Sequence, residues 1–181
     1  ASLNDGENTL NRFEVTKVLG EEVVPDSGTP TLLVEPQSTN LVVNSELNNV
    51  ENIVVSAVAH TISFYGTGSI TLSGVHSATL SGTGANDRVS LTFTPSAGTL
   101  ICTDSGNVEN KQVEALPHAT SYIPTSGAIA TRLEDVMTVD LTSFSLTSIT
   151  ETIDGVEQTP ITSIPSTYTI PQGNINKIVM I

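Results

Sequence analysis

The chain has 181 residues, enough for one domain with a real core and too few for two of full size. Asp and Glu number 19 against 6 Lys and Arg, a formal charge of −13, so a polyanionic nucleic acid or an anionic lipid surface is repelled rather than gathered. Metal cations or a basic protein surface remain as the charged partners that fit, beside an acidic surface that simply keeps the particle soluble.

Charged residues make up only 14% of the chain, and Thr, Ser, Asn and Gly fill much of the rest, a mix that favours strands and turns over solvent-facing helices. Cys102 stands alone in the apolar run Leu100-Ile101-Cys102, which excludes an intrachain disulfide and predicts a buried thiol rather than a nucleophile. No apolar run reaches the ~20 residues of a membrane helix. The polar start Ala1-Ser2-Leu3-Asn4-Asp5 does not read as a signal peptide, so maturation in a host cytoplasm is the expectation.

Residues 1–30 show neither helical nor strand periodicity and read as an N-terminal arm or linker. Thr31-Leu32-Leu33-Val34-Glu35-Pro36 reads as an extended piece stopped by proline. The centre alternates clearly. Thr61 to Tyr65, Ile70 to Ser73, Ala78 to Ser81, Val89 to Thr94 and Thr99 to Thr103 each place apolar side chains largely on one face, as half-buried strands do. Gly-, Pro-, Asn- and Asp-rich turns separate them at the roughly ten-residue spacing of an antiparallel sandwich or barrel.

After Lys111-Gln112-Val113-Glu114 the run from Ala119 to Arg132 reads as a strap on the surface. Pro124 fixes an extended stretch and restricts Ile123, and Gly127 permits a turn. Phe144 to Ile149, Ile161 to Ile170 and Ile175 to Ile181 read as three short strands, with turns at Asp154-Gly155 and Gln172-Gly173. The apolar end, Ile178-Val179-Met180-Ile181, is a poor free tail and is expected to pair with another strand or a neighbouring subunit. The predicted fold is therefore an all-β, antiparallel β-sandwich over 31–136, with the arm before it and a C-terminal β segment over 137–181 that serves oligomerisation.

The chemistry of the residues argues against catalysis. His60, His76 and His118 are dispersed without metal-ligand spacing, and Asp104, Glu109 and Glu114 carry no glycosidase spacing. A sugar site needs an aromatic platform with amides and carboxylates around it. Aromatic residues are only 4% of the chain, and Phe64 and Phe93 fall on core-facing strand positions. Tyr65 points opposite to Phe64 and precedes Gly66. With Asn86, Asp87 and Arg88 in a nearby turn it forms the candidate carbohydrate-binding surface, the alternative being an ordinary exposed tyrosine at a strand end.

Two motifs resemble a family. The run Leu32-Leu33-Val34-Glu35-Pro36-Gln37-Ser38-Thr39-Asn40-Leu41 resembles a recurrent signature of bacteriophage structural and tail proteins. So does Gln112-Val113-Glu114 followed by Ala119-Thr120-Ser121-Tyr122-Ile123-Pro124-Thr125-Ser126-Gly127 and Thr131-Arg132. The resemblance covers residues 31–136. It implies a lectin-like or jelly-roll sandwich on a virion surface (tail, fibre or capsid exterior), homotrimeric, contacting other virion proteins. It leaves two roles open: adhesion to host glycans, or structural service as a capsid decoration protein or fibre connector. The longer Trp-bearing insert of that family is missing here, and the chain has no Trp, as if a sugar platform had been lost. The resemblance also implies a structural calcium, for which Asn44, Glu46 and Glu114 offer oxygen ligands.

Overall fold

The computed structural model describes residues 32–181, which form fifteen strands and no helix. The reading of residues 1–30 as an arm lies outside the described residues. All strand pairing is antiparallel, and the chain divides into two compact units, 37–133 and a second that joins 134–181 to the segment ending at Pro36.

The first unit is a β-sandwich. After β2 (Ser38–Asn40), one sheet runs in the order β3 (Val50–Val55), β8 (Gly98–Ser105), β5 (Ser69–Gly74) and β6 (Ala78–Ser81). The other runs β7 (Gly84–Phe93), β4 (His60–Gly66) and β9 (Glu109–Glu114). Each alternating run of the sequence became a strand, because alternation presents one apolar face. Ile53, Val55, Ile70, Leu72, Leu100 and Cys102 from the four-stranded sheet share a core with Ile62, Phe64, Phe93 and Val113 from the three-stranded one.

Two bulges shape this unit. On β9, Ser63 opposes Gln112 while Tyr65 opposes Glu109, and Asn110 absorbs the extra residue at φ 52°, a left-handed conformation that Asn tolerates. The bulge turns Lys111 into the interior beside Val113. On β7, Phe64 opposes Val89 but Gly66 opposes Gly84, so the segment Ala85–Arg88 stands opposite the single residue Tyr65.

The second unit has its own core of Val34, Leu141, Ile149, Tyr168, Ile170, Ile175, Ile178 and Met180. Its main sheet runs β1 (Leu32–Val34), β15 (Gly173–Met180), β12 (Ile149–Ile153) and β13 (Val156–Glu157). A separate pair joins β11 (Thr138–Asp140) to β14 (Thr167–Thr169). Asp154 and Gly155, both at positive φ, make the β12–β13 turn that the sequence places there. A register shift leaves Asn176 between the Ile175–Ile153 and Lys177–Thr152 pairs, which lets Ile175 and Ile178, three residues apart, both face inward.

Two expectations change. Leu32–Val34 pairs with β15 and so belongs to the C-terminal unit rather than to the sandwich. Phe144 to Ser148 is irregular, with a bend at Thr147, and not strand. The apolar terminus pairs with other strands, the first of its two expected covers: β15 lies between β1 and β12, Ile175, Ile178 and Met180 are buried in the core of their own unit, and Ile181 alone of the final run is exposed.

Candidate functional site

The two motif segments of the sequence interlock in the first unit. β2 pairs with β10 (Ala130–Arg132), and the Thr39 and Thr131 hydroxyls meet at 2.8 Å. Asn40 donates to the carbonyls of Lys111 and Ile123 and accepts from the amides of Val42 and Val113. Gln112 accepts from the Ile123 amide at 2.6 Å, and its amide nitrogen reaches the Thr120 hydroxyl and the Ser121 carbonyl. Thr61 donates to the Leu116 carbonyl and Thr92 to that of Pro117. The strap thus lies over the outward side chains of β4 and β9, and the most recognisable residues of the sequence hold it there.

The metal candidates are drawn into this network. Glu114, fully buried, accepts from the Ser38 hydroxyl at 2.6 Å and from both the amide and the hydroxyl of Thr120. Glu46 accepts from the Tyr122 hydroxyl, and Asn44 accepts from the Gly127 amide at 2.9 Å. Burial and the Glu46 bond push the Tyr122 phenol up to about 12. The three are committed to protein donors rather than converging on one point, and the calcium expectation finds no support in their placement. Among the described residues no group of three or more His, Cys, Asp and Glu is arranged to hold a metal.

The carbohydrate candidates are partly brought together. The β4–β7 bulge sets Asn86 and Asp87, both exposed, opposite half-buried Tyr65, with Glu109 on its other side. They sit on a bulged strand, not in a turn, a correction that follows from the extra residues β7 carries there. Arg88 does not join them. Its guanidinium donates to the Thr120 carbonyl and, at 2.8 Å, to the Ser63 hydroxyl, while its Nε is buried without a partner among the described residues. Its work is to pin the strap. A hollow of about 150 Å³ beside Gln37, Thr39 and Leu116 is smaller than the ~300 Å³ at which ligand pockets begin.

Two of the histidines play packing roles: His60 starts β4 with its Nδ1 2.9 Å from the Val58 carbonyl, and His76 stacks on Phe93 at 4.5 Å, while His118 is exposed. Cys102 is fully buried, as its apolar surroundings in the sequence require.

Sequence reasoning missed the outer face of the four-stranded sheet. Its rungs read Val50, Thr103, Thr71, Thr79; then Asn52, Ile101, Ser73; then Val54, Thr99. None is charged. The only charged residues in these four strands, Glu51 and Asp104, point inward among the core residues, so the outer face is left without a charge. Val54 is 82% exposed and Val50 56%, on an edge strand whose second edge pairs with no other strand among the described residues. The signal was available as Val50-Asn52-Val54 alternating with Glu51, but one acidic residue on the apolar phase conceals which face is inside.

No protein-family model, no curated protein and no solved structure matches this chain.

Proposed function

We propose that the chain is a non-catalytic structural protein of a bacteriophage virion surface, a capsid decoration protein or fibre connector. In this reading copies of the chain join through the outer face of the four-stranded sheet. One observation carries it: a chain of charge −13 leaves a contiguous sheet face without a single charge. Copies that approach by acidic surfaces place like charges in contact, whereas this face brings Thr, Ser and Val together and leaves only the longer-range repulsion between the acidic chains. Its edge, which pairs with no other strand among the described residues, adds backbone donors and acceptors. The motif resemblance supports the virion setting, and with it a lectin-like descent of the sandwich and a homotrimeric assembly.

Adhesion to host glycans is the second reading, favoured by Tyr65 beside the exposed amide of Asn86 and the carboxylates of Asp87 and Glu109. A glycan array probed with the intact chain separates the two. The structural reading expects no sugar bound. A bound sugar that is lost in a folded Tyr65→Ala variant would overturn it in favour of adhesion.

A further inference from the structure

The sandwich core contains one polar cluster. Lys111 on β9 and Asp104 on β8 come from opposite sheets, and both side chains are wholly buried, with Nζ 2.5 Å from Oδ2. Asn49 knits them together: its backbone N–H donates to Asp104 Oδ2 at 3.1 Å, its Oδ1 accepts from Nζ at 2.9 Å, and its Nδ2 donates to Glu51 Oε1 at 2.9 Å. Glu51 is itself buried. The other oxygen of Asp104, Oδ1, is buried with no hydrogen-bond partner among the described residues. A buried carboxylate oxygen that no protein group donates to is costly, and it sits beside an ammonium in direct contact with the same carboxylate.

We propose that Lys111 and Asp104 form an intramolecular amide bond, Nζ to Cγ, once the chain has folded. The ammonium gives one proton to Oδ2, and the freed amine attacks Cγ. The nitrogen then releases a second proton, which Glu51, bound to the same Asn49 that holds Nζ, relays to the departing oxygen. The C–N bond forms, the Cγ–Oδ2 bond breaks, and Oδ2 leaves as water with two of the three ammonium protons. Oδ1 stays as the amide carbonyl.

No oxidant or co-reactant is needed, and charge is zero on both sides of the step. Two buried ions become one neutral amide, which removes the desolvation cost an ion pair carries and leaves Oδ1 as a neutral carbonyl oxygen that tolerates isolation better. Cys102 does not compete as the nucleophile. Burial pushes its thiol up to about 12, so it stays protonated. The bond would tie the two sheets covalently, whatever role the chain serves.

The test is mass spectrometry of the intact folded chain after incubation, followed by denaturing tryptic digestion. The expected mass is one water below that of the sequence. Trypsin should fail after Lys111, leaving the peptide Val89–Arg132 one water light. Lys111→Arg should restore the full sequence mass, and Glu51→Gln should slow bond formation by about a hundredfold. Wild-type chain that is folded, has the full mass and is cut after Lys111 would overturn the proposal, and this needs no variant. A loss of ammonia with the link mapped to Asn49 would overturn the assignment to Asp104. An unchanged rate in a folded Glu51→Gln variant would remove Glu51 from the relay.

Discussion

The carboxamide of Asn40 donates to the carbonyl of Ile123 at 2.9 Å, across 83 residues of sequence, while its oxygen accepts from the amides of Val42 and Val113. One buried side chain thereby ties β2, β9 and the strap. Asn40→Ala leaves the two carbonyls and two amides that it serves without partners in the interior. The expected loss is about 2–4 kcal/mol, read as a lower midpoint in urea with an unchanged slope. Asn40→Asp should also destabilise, because a carboxylate accepts but cannot donate to Ile123 or Lys111.

Arg88 should behave as a clamp. Arg88→Lys keeps the charge but offers one nitrogen where two are used, for the Thr120 carbonyl and the Ser63 hydroxyl. Limited proteolysis should cut the segment between Leu116 and Tyr122 several-fold faster in that variant, with circular dichroism unchanged. Equal cutting rates would show that the strap does not depend on Arg88.

Cys102 predicts an alkaline limb of stability. Its thiol ionises near 9.0 when exposed and at about 12 in the fold, chiefly through burial. Between those values the unfolded chain has lost a proton that the folded chain keeps, so stability falls as pH rises, by up to roughly 1.4 kcal/mol per pH unit. The contribution is whole below pH 9. Cys102→Ala should flatten this slope in urea titrations from pH 8 to 11, leaving only what the raised phenols of Tyr122 and Tyr168 add. An identical slope in the variant would remove the thiol as its source.

β4 to β8 were legible because each carries an alternating run, and a period of two leaves one way to bury the apolar side chains, whereas Glu51 in β3 and the bulge in β9 break that pattern. The C-terminal sheet was less so. Ile175 and Ile178 are an odd interval apart, and only the extra residue Asn176 makes them face one way. The pairing of Leu32–Val34 with Gly173–Met180 spans nearly the whole chain, and no local pattern encodes it. At the candidate site alternation placed Tyr65 on the face opposite Phe64, but Asn86 and Asp87 read as a turn, and the β7 bulge that sets them opposite Tyr65 was not readable. Nor was the capture of Arg88 and Glu114 by the strap, since partners far apart in sequence decide whether a charged side chain is free.

The central claim is that the uncharged sheet face joins copies of this chain, and light scattering on the intact protein tests it most directly. The face predicts an oligomer that tightens as salt screens the repulsion between acidic copies. Val54→Glu with Thr71→Glu, at two exposed positions that do not oppose each other, should convert it to a folded monomer. A wild-type chain that stays monomeric at high concentration and high salt, or an oligomer indifferent to both glutamates, would contradict the account.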